Sequence, residues 1–187
     1  MQQQSASTQI LFRQWCDGDD QARDTLIERL LPELEQIAFA RLRQERGASI
    51  SSGDLVNDAV LKLMAIDQLE VESRGHLMAL ASRLMRNILI DHARSKGRDK
   101  RRHEAVTLAT DLGIGQPLDL LHLNLALTRL GAIDENLVSL VEMRFFGGMT
   151  LEEAGKVLGF SEATAKRRWF VARAWLADAL SDAARHV

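Results

Sequence analysis

The sequence predicts an all-α protein of two small helical domains, a helical bundle and a helix-turn-helix unit, joined by a flexible linker. Three observations carry that expectation. Aromatic residues make up only 5% of the chain, Tyr is absent, and prolines occur only at Pro32 and Pro117, a composition that favours helices over a sheet-rich sandwich. Apolar residues recur at helical spacing through nearly every long segment. One stretch, Gly97 to Pro117, loses that periodicity and collects Gly113, Gly115 and Pro117. With 187 residues the chain is long for one compact domain and comfortable for two. The boundaries are placed at residues 1–97, 98–117 and 118–187.

The elements follow in order. Ile10 to Cys16 reads as a helix that turns at Asp17-Gly18-Asp19, and Gln21 to Arg46 continues as helix with Pro32 restarting or kinking it. Gly47 marks a break. Ser52 and Asp54 open an amphipathic helix whose apolar surface comes from Leu55, Ala59, Leu61, Leu63 and Met64, while Asp54, Asn57, Asp58 and Lys62 stay polar. Next comes a helix from about His76 to Ser95. Its core positions include Leu77, Leu80, Ala81, Leu84, Met85, Ile88 and Leu89, and Arg83, Arg86, Asn87, Ile90 and Arg94 run along another part of it. After the linker, helix resumes from Leu118 with a run of leucines, then from Glu135 to Phe146 before Gly147-Gly148.

The most specific stretch begins at Thr150 and reads as a helix-turn-helix. Thr150 caps a first helix with Glu153 closing a capping box, and Leu151, Ala154 and Leu158 share one face. Gly159 ends that helix, and Ser161 caps the second, in which Ala165, Trp169, Ala172 and Leu176 form a buried stripe. Rotation of about 100° per residue places Ala163, Lys166, Arg167 and Phe170 on the opposite side, near the helix start. Gly155, four residues before Gly159, costs roughly 1 kcal/mol against Ala inside a helix. Its lack of a side chain lets the second helix cross closely over the first. A cationic helix start with free backbone N–H groups suits a DNA major groove.

Charge is unevenly distributed. Residues 1–72 carry seven Lys/Arg against thirteen Asp/Glu, 73–102 carry nine against two, 103–160 carry three against eight, and 161–187 carry five against three. The basic block, with Arg83, Arg86, Arg94, Lys96, Arg98, Lys100, Arg101 and Arg102, is dense enough to neutralise several phosphates. Cys16 is the single cysteine, so no internal disulfide forms and no zinc pattern exists. The five histidines, His76, His92, His103, His122 and His186, show no ligand spacing. Neither a metal nor another cofactor is expected, and no catalytic group emerges. No apolar run approaches the ~20 residues that cross a bilayer. The polar start Met1-Gln-Gln-Gln-Ser lacks a signal-peptide pattern, so a cytoplasmic protein without a membrane partner is expected.

Asp54-Leu-Val-Asn-Asp-Ala-Val-Leu-Lys-Leu, then Ala81-Ser-Arg-Leu-Met-Arg-Asn-Ile-Leu-Ile-Asp-His-Ala-Arg, then Met149-Thr-Leu-Glu-Glu-Ala-Gly-Lys-Val-Leu-Gly-Phe-Ser-Glu-Ala-Thr-Ala-Lys-Arg-Arg resemble, in order, the second and fourth conserved regions of bacterial extracytoplasmic-function sigma factors. The resemblance spans about Ile10 to Leu180, and order, spacing and linker length agree together. It implies binding of core RNA polymerase, direction to specific promoters, and assistance in opening the duplex, with double-stranded promoter DNA, the opened non-template strand and an anti-sigma factor as potential partners.

The resemblance also implies site residues. Asp54, Asn57, Asp58 and Lys62 match the helix that docks on polymerase. Arg83, Arg86, Asn87, Asp91 and Arg94 match the helix that reads the minus-ten element, and the preceding loop, with Ser73, Arg74 and His76, matches the pocket for a flipped nucleotide. Asn87 suits a base edge and the arginines suit backbone. Asp91 has a rival reading as the partner of Arg94 or Arg86. Ser161, Glu162, Ala163, Thr164, Lys166, Arg167, Phe170 and Arg173 match the positions near the minus-thirty-five duplex, with Arg167 pointing most directly away from the core stripe. Thr164 and Arg168 flank that stripe and have a packing role as their alternative. Two departures stand out. Leu80-Ala-Ser82 is aliphatic and small where the family often stacks bases on aromatic rings, and Asn57-Asp58 stands where an amide-acid pair is usual, a mild change that retains acidity.

A helix-turn-helix regulator with an N-terminal sensing or dimerisation domain shares the C-terminal motif, but needs neither the Asp54 helix nor the basic block. A recombinase or nuclease requires a catalytic serine with arginines, or metal-binding carboxylates, and neither pattern is evident.

Overall fold

The computed structural model describes residues 2–42, 50–66, 73–98, 107–108 and 118–185. Eight helices occur among them: α1 (Gln2–Cys16), α2 (Asp20–Leu42), α3 (Ser52–Met64), α4 (Arg74–Arg98), α5 (Leu120–Gly131), α6 (Glu135–Phe145), α7 (Leu151–Val157) and α8 (Glu162–Arg185). The all-α expectation holds. A two-residue antiparallel ladder, β1 (Thr107–Leu108) with β2 (Leu118–Asp119), pairs Thr107 with Asp119 and Leu108 with Leu118. Leu118 therefore belongs to a strand pair, and helix begins at Leu120. The remainder of the expected linker, Asp99 to Val106 and Ala109 to Pro117, lies outside the described residues.

Local chemistry accounts for the helix ends. Gly18, at φ +93°, supplies the left-handed residue between α1 and α2. Asp19 accepts from the Gln21 and Ala22 N–H groups at 2.9 and 3.2 Å, capping α2, which runs through Pro32. α3 opens at Ser52, as expected, with Ser51 as its cap. The Ser51 hydroxyl accepts from the Asp54 N–H at 3.0 Å, and the Asp54 carboxylate accepts from the Ser51 N–H at 3.2 Å, a complete capping box. α1 begins at Gln2, well before Ile10, and α4 extends at both ends beyond His76 to Ser95.

α1 to α4 pack in sequence, α5 to α8 form a second set, and α4 joins them. It packs on α3 along one side and on α5, α6 and α7 along another. The buried apolar residues of both sets form one continuous cluster, from Phe12 through Leu77, Met85 and Leu89 to Leu140, Ala172 and Leu176. This corrects the reading of Ile90. It is only 4% exposed, and burial of such a side chain contributes about 2 kcal/mol, so the side of α4 assigned to cations is partly a packing face. Two positions on α3 also move. Leu61 is 64% and Met64 37% exposed, so both leave the core and join the polar side, while Val56 is buried in their place.

Candidate functional site

The helix-turn-helix forms as its local signals require. Thr150 and Glu153 make a second complete capping box, with the Thr150 hydroxyl accepting from the Glu153 N–H at 3.1 Å and the Glu153 carboxylate accepting from the Thr150 N–H at 2.7 Å. The Thr150 hydroxyl also donates to that carboxylate, at 2.8 Å. The Thr150 N–H and this hydroxyl together hold the Glu153 carboxyl below the usual glutamate range. Gly159 turns at φ +71°, and the Ser161 hydroxyl accepts from the Thr164 N–H at 3.3 Å to start α8. Ala165, Ala172 and Leu176 are fully buried, and Trp169 packs beside them. The turn is held from below by Arg144, which donates to the Met149 carbonyl at 2.5 Å and lies 5.7 Å from the Trp169 ring centroid.

Ala163, Lys166, Arg167 and Phe170 emerge together on the open side of α8, with Phe170 74% exposed. Glu162 and Ser161 are exposed beside them, while Thr164 and Arg173 are half-buried. Lys166 pairs with Glu162 at 2.6 Å, and that bond keeps the Glu162 carboxyl low. Arg167 reaches only as far as the Thr164 hydroxyl, at 3.3 Å, whereas Arg168 pairs with Asp134 at 2.6 Å and lies 4.5 Å from the Phe160 ring centroid. Arg168 thus takes its packing role. The ridge is cationic and apolar at once, a surface able to meet phosphate oxygens and base edges or methyl groups.

On α3, Asp54, Asn57, Asp58 and Lys62 are all exposed on one face, with Leu61 among them. Ser51's hydroxyl and N–H, bonding to the Asp54 carboxylate, hold that carboxyl below its usual range. Leu61 thus stands apart from Leu55, Ala59 and Leu63, which are buried. Its spacing of three from Asp58 and four from Asn57 was the signal that it belongs outside.

The residues matched to the minus-ten element are divided. Ser73 caps the start of α4, accepting from the His76 N–H at 3.3 Å, and Arg74 pairs with Glu33 of α2. Ser73 and His76 are half-buried, and Arg74, Asn87, Asp91 and Arg94 are exposed. Asp91 sits 3.8 Å from Arg94, the rival pairing. Arg83 and Arg86 turn towards the second helical set. Arg86 pairs with Glu142 of α6 and donates to Asn124 of α5 at 2.7 Å, and Arg83 approaches the other Glu142 oxygen at 3.5 Å. Ser82, fully buried, donates to the Met78 carbonyl at 2.6 Å and lies against Gly147, so the aliphatic Leu80-Ala-Ser82 segment is packing surface. Glu72, Lys100, Arg101 and Arg102 lie outside the described residues. Among the described residues no cluster of three or more His, Cys, Asp or Glu offers a metal site, and no helix is long and apolar enough to cross a membrane.

A protein-family model described as ECF sigma factor matches residues 5–182, nearly the whole chain. A search of curated proteins returned no match.

Proposed function

Because the chain belongs to the ECF sigma factor family, and so serves transcription initiation at promoters, we propose that it binds core RNA polymerase through α3, reads the minus-ten element with α4 and the minus-thirty-five element with α8, and helps to open the duplex. Residues 1–97 form the polymerase and minus-ten domain in this reading, residues 118–187 the minus-thirty-five domain, and residues 98–117 the tether. The observation that carries it is the exposed ridge of Lys166, Arg167 and Phe170 at the head of α8. Cations there face phosphates, whose neutralisation dominates affinity, and Arg167 is placed to reach a base edge.

The α3 face supports the polymerase contact by its chemistry. Asp54 and Asp58 supply negative charge, Asn57 a paired donor and acceptor, and the exposed Leu61 an apolar anchor. Interfaces draw their energy from such desolvated apolar centres with polar rims. On α4, Asn87 is exposed for base reading and Arg94 for backbone. The chain is an initiation factor in this reading, with no catalytic group of its own. Run-off transcription with purified core polymerase on a pool of genomic promoter fragments tests it. Discrete transcripts that appear only when the protein is added are expected, and no initiation without a second sigma factor would sink the proposal.

A further inference from the structure

α8 carries two large apolar side chains that its packing does not use. Phe170 is 74% and Val171 53% exposed, and they stand next to each other on a helix whose Ala165, Ala172 and Leu176 are fully buried. Helical spacing ties both to the cationic ridge. Phe170 follows Lys166 by four residues and Arg167 by three, and Val171 follows Arg167 by four. At about 100° per residue, Phe170 and Val171 flank the line on which Arg167 and the exposed Ala174 lie, one on each side. The open side of α8 is therefore a cationic turn followed by an apolar one. The residues between take no part: Arg168 is held by Asp134 and Phe160, and Trp169 is half-buried beneath Arg144.

A phosphate oxygen, or a donor or acceptor on a base edge, offers nothing to an isopropyl group. The apolar feature that the major groove presents is the 5-methyl group of thymine. Covering it with an exposed ring and valine removes all three from water. We infer that Phe170 and Val171 form an apolar edge that reads thymine by its methyl group, which makes Val171 a specificity-determining residue of α8. The inference rests on the reading of α8 as the helix that enters the major groove at the minus-thirty-five element. Arg167 then sets the register. Arginine pairs bidentately with guanine, and one helical turn advances about 5.4 Å against about 3.4 Å per base pair. The element therefore holds thymine about one or two base pairs from a guanine.

Duplexes of random sequence, selected with the full-length protein bound to core polymerase, identify the element. The selected duplex is then remade with deoxyuridine replacing each of its thymines in turn. Uracil keeps every hydrogen-bonding group of thymine and lacks only the methyl. Wild-type binding, followed by fluorescence anisotropy of the labelled duplex, should weaken about fourfold at one or two of those positions, the loss expected from one methyl group left in water. Phe170→Ala and Val171→Ala should each bring the thymine and uracil forms within about twofold of one another, whereas Arg167→Ala should bind both more weakly and keep the preference. Both apolar side chains are exposed, so the unfolding midpoints of their variants should match the wild type. Equal binding of the thymine and uracil duplexes by the wild type would overturn the inference whatever the variants do, because that comparison changes only the DNA. So would a selection that enriches no thymine-containing element, or a fourfold preference kept by either Phe170→Ala or Val171→Ala. Run-off transcription from the selected fragments is scored separately. Thymine preference without transcripts counts against the initiation role and leaves the methyl reading standing, and transcripts without thymine preference remove the methyl reading alone.

Discussion

Gly155 in α7 faces Ala165 in α8 so closely that a Cβ added to Gly155 would stand 3.1 Å from the Ala165 Cβ and 3.2 Å from the Phe160 carbonyl oxygen. The two smallest side chains thus set the crossing of the helix-turn-helix. Gly155→Ala should be nearly neutral, because a gain of about 1 kcal/mol in helix propensity is offset by a contact a few tenths of an ångström too tight. Gly155→Leu has no such escape and should lower stability by about 2 kcal/mol through overpacking. Urea unfolding of the three proteins checks both, and a Leu variant as stable as the wild type would show that the crossing is looser than described.

The second capping box makes acid sensitivity a local property. The Glu153 carboxyl is held below its ordinary value of 4.5 by the Thr150 N–H and hydroxyl. A carboxylate depressed in the folded state stabilises above its unfolded value and loses that contribution as pH falls through the folded one. The stability difference between wild type and Glu153→Gln should therefore be full at neutral pH and shrink as pH drops below 4.5. Thr150→Ala should cost about 1 kcal/mol at pH 7. Urea midpoints measured across that range would show a constant difference if the carboxylate charge plays no part.

What could be read beforehand tracks the distance over which each interaction acts. Thr150 with Glu153, Gly159 and Ser161 lie within a few residues of what they stabilise, so the helix-turn-helix was legible down to its caps and its outward ridge. The start of α3 at Ser52 was legible too, but its cap, Ser51, was not, because adjacent serines offer overlapping choices and only geometry selects between them. The burial of Ile90 and Ser82 and the ion pair of Arg86 were not legible, for a different reason. Ser82 lies against Gly147 and Arg86 meets Asn124 and Glu142, between 38 and 65 residues away, and no periodicity on α4 carries that information. A helix buried on two sides still looks singly amphipathic when the second side holds arginines.

Adjacent arginines on α8 should separate stability from recognition. Arg168 pairs with Asp134 and stacks over Phe160, so Arg168→Ala should lower stability by roughly 1 kcal/mol. Arg167 is exposed and, among the described residues, hydrogen-bonds to the Thr164 hydroxyl, one turn away on its own helix, so Arg167→Ala should leave the unfolding midpoint unchanged. In transcription the order reverses: Arg167→Ala should weaken promoters that depend on the upstream element by about 1 to 3 kcal/mol of discrimination, and spare promoters that do not. Equal loss on all templates would remove Arg167 from base recognition.

The α3 face demands a similar separation, because Asp54 has two possible uses. Its carboxylate closes the Ser51 capping box, so Asp54→Lys removes a cap as well as a charge, and any fall in polymerase affinity would be confounded by fraying of the helix start. Asp58 and Leu61 carry no such burden: both are exposed, and Leu61 keeps 64% of its surface in water. Asp58→Lys combined with Leu61→Ala should leave thermal unfolding unchanged while weakening capture of core polymerase at least about tenfold, the loss typical when a charged rim contact and an apolar anchor go together. Ser51→Ala provides the converse, costing about 1 kcal/mol of stability through the cap while leaving the acidic face in place. Its polymerase affinity should stay within about twofold of wild type, since affinity follows contacts that remain. If Asp58→Lys with Leu61→Ala co-purifies with polymerase as well as the wild type does, docking occurs elsewhere, and the exposed leucine among acids on α3 needs another partner.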